Sequence, residues 1–110
     1  MQTVMSLRAT LSCLAATMLV TSALAGDLVT VGQRGLRFST ADLTVAKDQI
    51  VIFMNNDTTT HNIMVVGEGL SVNGGLQSPG AEFRVPFMKA GTYTVSCGIH
   101  PKMKMTVTVK

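Results

Sequence analysis

The sequence predicts an all-β fold, a Greek-key β-sandwich of seven to eight short strands. Apolar and polar residues alternate in several stretches, which is typical of strands with one buried face. Turn-forming residues separate these stretches, and no stretch repeats its apolar residues every three or four positions as a helix would. Many short strands in one small domain pack as two sheets, because each sheet must bury its apolar face.

An apolar segment near the N-terminus is predicted to be an export signal. No charged residue occurs between Arg8 and Asp27, and residues 23–25 supply the small-x-small pattern that signal peptidase requires. We therefore predict that residues 1–25 are a cleaved secretory signal peptide and that residues 26–110 are the exported mature domain. An uncleaved anchor is disfavoured because threonine and serine interrupt the apolar segment.

Cysteine usage in the predicted mature domain points to a bound metal. Cleavage after Ala25 removes Cys13 and leaves Cys97 as the sole cysteine, so no internal disulfide can form. Small exported domains bury little surface for their size and are usually stapled by disulfides. A bound metal is the usual substitute.

Charge and composition exclude two classes of protein. The chain has 9 Lys+Arg and 6 Asp+Glu, a net charge of +3, and these charges are scattered along it. Nucleic-acid binding has no support, since it needs a basic patch with interleaved aromatic residues. An apolar fraction of 46% with a charged fraction of 14% also excludes a disordered chain.

The predicted strands follow from the alternation, in chain order. Leu43 and Val45 alternate with Thr44 and Ala46, and residues 50–54 are a continuous apolar run typical of a strand buried on both faces. Three later segments alternate most clearly, with the apolar sets Phe83/Val85/Phe87, Tyr93/Val95/Cys97 and Met103/Met105/Val107/Val109.

Four segments between the strands are predicted to be turns or loops. Residues 47–48, 55–57 and 89–91 are short and contain Asp, Asn or Gly, the residues that turns prefer. Residues 67–80 contain five glycines, and we predict a loop there as well.

The main chemical motif is Cys-Gly-Ile-His-Pro-Lys-Met, which ends at Met103. Cys97 and His100 can bind one ion if the chain turns tightly after a strand, and Gly98 and Pro101 favour such a turn. Alone this spacing is a weak signal, because a buried structural cysteine beside an incidental histidine explains it equally well.

His61 strengthens the metal interpretation. It closes a polar loop after the predicted strand 50–54 and begins another apolar segment, so it lies at a strand end. Strand ends cluster at the poles of a sandwich, which would bring His61 to Cys97 and His100. Two imidazoles, one thiolate and the Met103 thioether are a soft donor set that suits copper better than zinc, calcium or magnesium.

Two segments carry a family resemblance: FMNNDTTTHNIMVV, residues 53–66, and GTYTVSCGIHPKMKMTVTV, residues 91–109. Both resemble the plastocyanin/amicyanin class of type 1 blue copper proteins, the cupredoxins, and the resemblance spans essentially the whole predicted mature domain. Its most specific part is residues 97–103, which match the short amicyanin-like ligand loop in spacing. The resemblance implies a cupredoxin-like domain with one type 1 copper ion.

The resemblance also implies roles for individual residues. His61, Cys97 and His100 would be the equatorial copper ligands, and Met103 the axial ligand. Asn62, next to the first ligand, would tie the two ligand segments together.

Met105 is the competing axial ligand. Other cupredoxins have a longer loop in which the methionine comes eight residues after the cysteine, and Met105 has that spacing from Cys97. Strand alternation would let Met105 pack inward as ordinary core. We therefore favour Met103.

The resemblance implies a periplasmic one-electron carrier that cycles Cu(II)/Cu(I) between a donor and an acceptor redox protein. We expect no enzyme activity, because four ligands leave no position open for a substrate and the chain has no third histidine. Lys102 and Lys104 would favour partners with an acidic docking surface. Neither nucleic acid nor stable membrane insertion after signal cleavage is expected. The alternative is a copper-binding module that delivers its metal to a partner.

Overall fold

The computed structural model describes residues 28–110, which form nine β-strands in two sheets. In chain order these are β1 (Leu28–Arg34), β2 (Arg37–Phe38), β3 (Asp42–Val45), β4 (Gln49–Asn55), β5 (His61–Gly67), β6 (Leu70–Gln77), β7 (Glu82–Phe87), β8 (Gly91–Cys97) and β9 (His100–Val109). The predicted β-sandwich is confirmed, with nine strands rather than seven to eight. The predicted signal peptide, residues 1–25, lies outside the described residues, and within 28–110 no helix could cross a membrane.

The chain passes repeatedly between the two sheets. The first sheet has the order β2-β1-β4-β7, and the second has the order β3-β9-β8-β5-β6. β1 pairs with β4 and β3 pairs with β9 in parallel, whereas the other neighbours are antiparallel. Neighbours that are distant in sequence therefore lie side by side, as in a Greek-key sandwich.

The core lies between the sheets and follows the alternation. In β8, Tyr93, Val95 and Cys97 are buried, while the residues between them are exposed or half-buried. β4 lies between β1 and β7 and is buried along most of its length, as its continuous apolar run predicts. The Tyr93 hydroxyl donates to the Lys89 carbonyl oxygen at 2.6 Å, so this buried ring keeps the polar partner that it needs.

The prediction of a loop over residues 67–80 is wrong. Most of this segment is β6, an edge strand that pairs with β5. An edge strand has a neighbour on one side only, so it tolerates glycine better than a central strand. Gly74 is also required by packing, since a Cβ there would lie 2.8 Å from Cδ2 of Phe83.

Three strand ends meet at one end of the second sheet. His61 is the first residue of β5, Cys97 is the last of β8, and His100 is the first of β9. β8 lies between β5 and β9 and runs antiparallel to both. Its C-terminal end therefore lies beside the N-terminal ends of its neighbours. We call this end, defined by the three residues, the His-Cys pole.

Candidate metal centre

Three candidate ligand atoms converge at the His-Cys pole. Nδ1 of His61 lies 3.9 Å from Sγ of Cys97, and Nδ1 of His100 lies 3.7 Å from the same sulfur. The two Nδ1 atoms are 3.2 Å apart. The structure thus brings together the three residues that the resemblance implies as equatorial ligands.

The three separations fit a single metal ion. First-row metal ions bind imidazole nitrogen at about 2.0–2.1 Å and thiolate sulfur at about 2.3 Å, so donors around one ion stand about 3–4 Å apart. The observed separations of 3.2, 3.7 and 3.9 Å lie in that range. A thiolate with two imidazoles is a soft donor set, which favours copper.

The site is closed on one side and reaches the surface on the other. His61 is 0% exposed and Cys97 is 1% exposed, whereas His100 is half-buried. His100 lines a surface cavity of about 570 Å³ together with Leu36 and Ile99. A bound ion would be shielded from water by the core and connected to the surface through His100.

Asn62 joins the two ligand segments. Its backbone N–H donates to Sγ of Cys97 at 3.3 Å, and its side-chain Oδ1 accepts the Gly98 N–H at 2.9 Å. Its Nδ2 donates to Asn73 Oδ1 and to the Gly75 carbonyl oxygen, both at 2.8 Å. These hydrogen bonds connect the start of β5 with the end of β8 and reach one strand further, to β6.

Met103 and Met105 both point inward on β9, but their surroundings differ. Met105 belongs to the hydrophobic core and is paired across the sheet with Val95. Met103 is 2% exposed, lies outside that core cluster and lines the same cavity as His100. This placement favours Met103 as the axial ligand, which stays a prediction.

The Asp57 carboxylate is a neighbour of the site that sequence analysis missed. Its Oδ2 lies 2.9 Å from Nε2 of His61 and accepts the Leu36 N–H at 3.2 Å. The hydrogen bond with His61, followed by that from Leu36, lowers the pKa of Asp57 from its ordinary 3.8 to about 2. Metal-binding histidines commonly give their second ring N–H to a carboxylate or carbonyl. The acidic residue four positions before His61 is the signal that could have found it.

Comparison with known proteins gives a family and a relative. Residues 25–110 match the family of copper-binding proteins that contains plastocyanin and azurin. Amicyanin from Paracoccus versutus is 27% identical over 88 residues, which are 76% of this chain and 66% of that protein. The chain therefore spans just under two thirds of the length of the curated relative that it matches.

Solved structures agree with this assignment. The reduced Cu(I) form of an amicyanin variant has a TM-score of 0.71 at 25% identity, over 80% of this chain and 87% of that one. A copper-containing nitrite reductase from Thermus scotoductus SA-01 also has a TM-score of 0.71, at 27% identity. That likeness covers 84% of this chain but 24% of the reductase, so most of the enzyme has no counterpart here.

The family match and the donor geometry have the same implication. The match covers all of the described residues, and the buried Cys97 sulfur with two imidazole nitrogens has the donor chemistry of a type 1 copper site. Copper is therefore the cofactor, and the chain belongs to the plastocyanin/azurin family of copper-binding proteins, the cupredoxins.

Proposed function

We propose that this protein is a periplasmic one-electron carrier. Residues 1–25 direct its export and are then cleaved off after Ala25. In this proposal His61, Cys97 and His100 would hold one copper ion, and the Met103 thioether would be its fourth ligand. The observation that carries it is the convergence of three donor atoms, 3.2–3.9 Å apart, on a pole of the sandwich. The amicyanin-like ligand loop supports the same role.

The residues around the site favour fast electron transfer. Bound copper supplies the chemistry, a one-electron change between Cu(II) and Cu(I). Because the two oxidation states prefer different surroundings, a donor set held in one compromise geometry limits the rearrangement that accompanies the electron. His61 is held at the start of β5, and Cys97 is held by the Asn62 N–H.

His100 is the proposed route for the electron between the site and a partner. It is the one of the three ligands that is not buried, and it opens on a cavity lined in part by apolar side chains. Leu36 and Ile99 in that lining are 50% and 48% exposed. Exposed apolar surface of this kind is suited to brief docking, since it can be buried without an exact set of polar partners.

We propose no enzymatic role, although a nitrite reductase shares the fold. The chain has two histidines, and both are in the donor cluster. No histidine remains to build a second metal centre where a substrate could bind. With the two imidazoles, the thiolate and the thioether as ligands, the copper ion would also lack the open coordination position that a catalytic metal needs.

Loading with Cu(II) tests the proposed function. Protein purified from the periplasm is expected to have the mass of residues 26–110, to turn intensely blue with one equivalent of Cu(II), and to show narrow copper hyperfine splitting by EPR. It should then cycle repeatedly between oxidised and reduced forms without losing metal. A colourless cupric protein would contradict the proposal, and transfer of copper to an apo-acceptor during cycling would instead favour a delivery module.

A cationic rim at the His-Cys pole supports an acidic partner. Arg37 and Lys102 line the His100 cavity, and Arg34 and Lys104 line the adjoining cavities. Within residues 28–110, none of these four side chains forms a salt bridge. We therefore propose that the redox partner presents an acidic docking surface to this rim, which would steer the encounter.

The rim predicts slower oxidation by an anion when its charge is reversed. The reduced copper protein should react with hexacyanoferrate(III) more slowly as salt is raised, because the attraction is screened. The double variant Arg37→Glu/Lys102→Glu should lower the low-salt rate by about tenfold. Stopped-flow absorbance measures both effects. The double variant Lys47→Glu/Lys89→Glu changes the net charge by the same amount at exposed residues of the other end of the sandwich. It is the matched control, and an equal loss of rate in that variant would contradict the steering role.

A further inference from the structure

We propose that Asp57 is a positioning residue for the copper site. Its carboxylate is hydrogen-bonded to Nε2 of His61, the ring nitrogen that faces away from Cys97 and His100. In this way it stabilises the cupric form over the cuprous form and lowers the reduction potential. The inference rests on the proposed function, because it assumes that His61 is a ligand. Among residues 28–110, Asp57 supplies the one carboxylate within salt-bridge distance of a histidine.

The carboxylate is held by the backbone on two sides. Oδ2 accepts the Leu36 N–H at 3.2 Å as well as facing Nε2 of His61 at 2.9 Å, and Oδ1 accepts the Thr58 N–H at 3.0 Å. The Asp57 N–H in turn donates to Oδ1 of Asn55 at 2.9 Å. With its side chain 14% exposed, Asp57 has little freedom to leave the imidazole.

The loop that presents Asp57 is anchored in the protein interior. Asn55 is 0% exposed, and its Nδ2 donates to the carbonyl oxygens of Thr59 and Gln77, each at 2.9 Å. Gln77 is the strand partner of His61 across β5 and β6. The same buried network thus supports both the carboxylate and the histidine to which it is bonded.

The contact with Asp57 fixes the orientation of the His61 ring. With Nε2 against the carboxylate, Nδ1 is the atom left to face Cys97 and His100, and it does so at 3.9 and 3.2 Å. A carboxylate on the second ring nitrogen raises the basicity of the ligating nitrogen. A stronger donor beside a fixed negative charge favours the ion with the higher positive charge, which is Cu(II).

The charge and the hydrogen bond can be separated by substitution. Asp57→Asn keeps an oxygen that can accept from Nε2 but removes the negative charge. Asp57→Glu keeps the charge on a longer side chain, and Asp57→Ser is a second neutral replacement. Asp48→Asn is the matched control, because Asp48 is exposed at the opposite end of β4 and its φ of 71° suits asparagine.

The test is the midpoint potential of each copper-loaded variant at neutral pH, measured by spectroelectrochemistry on the blue band. Asp57→Asn is expected to retain the blue band and to have a higher potential than wild type, with the ratio of Cu(II) to Cu(I) affinity lowered correspondingly. Asp57→Glu, which keeps the charge, should retain most of the wild-type potential, and Asp48→Asn should have the wild-type potential. Thermal unfolding of the metal-free variants shows whether each one folds.

Each outcome decides the question. An unchanged or lower potential in Asp57→Asn overturns the inference, as does an equal shift in Asp48→Asn. If Asp57→Asn does not fold, Asp57→Ser takes its place. If both neutral variants fail to fold while Asp57→Glu folds, the role is structural and the inference is wrong. A wild-type protein without a blue band would instead overturn the proposed function.

Discussion

Replacing Cys97 with serine is expected to abolish the intense blue absorption and to widen the copper hyperfine splitting. Both features need a thiolate bonded to Cu(II), and a serine oxygen is a harder donor that does not form that bond. Cys97 is the sole cysteine among residues 28–110, and its sulfur lies within 4 Å of both histidine Nδ1 atoms, at 3.9 and 3.7 Å. Visible and EPR spectra measure the effect, and one-electron cycling should be lost with the band.

The fold itself should survive this change. A serine oxygen can accept the Asn62 N–H that now donates to sulfur, so the far-UV circular dichroism of the metal-free variant should match wild type. Cys13→Ser in the full-length chain is the matched control, because Cys13 lies in the predicted signal peptide. A blue Cys97→Ser protein would refute the assignment of the thiolate ligand and the proposed function with it.

Alanine at Met103 and alanine at Met105 should change different properties of the protein. Met103→Ala is expected to shift the reduction potential and the blue-band spectrum, because the axial ligand tunes both. Met105→Ala should leave the spectrum unchanged but cost about 2–5 kcal/mol of unfolding free energy, as truncations in a packed core do. Met105 belongs to the core cluster and Met103 does not.

Two measurements separate the methionines. Spectra of the copper-loaded proteins report the axial ligand, and urea unfolding of the metal-free proteins reports the core. If Met105→Ala changed the spectrum while Met103→Ala did not, the longer ligand loop would apply, and Met105 would be the axial ligand.

Much of the architecture follows from local sequence pattern. The alternation in residues 83–87, 93–97 and 103–109 predicts segments of β7, β8 and β9, and the apolar run 50–54 predicts most of the central strand β4. Alternation has this power because neighbouring side chains of a strand point to opposite faces, and one face must be buried.

The sequence pattern does not predict β6 because only the first half of the strand alternates apolar and polar residues. Leu70 and Val72 alternate with polar neighbours, but Gly74 and Gly75 follow and resemble a loop. Gly74 is small because the Phe83 ring lies against it. A contact of that kind, between residues of different sheets, has no local signature.

The candidate site divides in the same way. The types and spacings of His61, Cys97 and His100 are sufficient to predict a soft metal site. The sequence does not indicate the partner of His61, because aspartate is common in turns and Asp57 has no distinguishing local pattern. Its contacts with the Leu36 N–H and the His61 imidazole are visible only in the folded structure.

By itself the sequence determined a two-sheet architecture and a set of donors suited to copper, because burial periodicity and ligand chemistry belong to individual residues and their neighbours. Only the tertiary structure decided which atoms face one another: the His61 nitrogen against a sulfur 36 residues away, Met105 in the core while Met103 lies beside His100, and a carboxylate behind the first ligand. These contacts depend on strand register and on how loops from different strands meet. No single stretch of the chain specifies either of them.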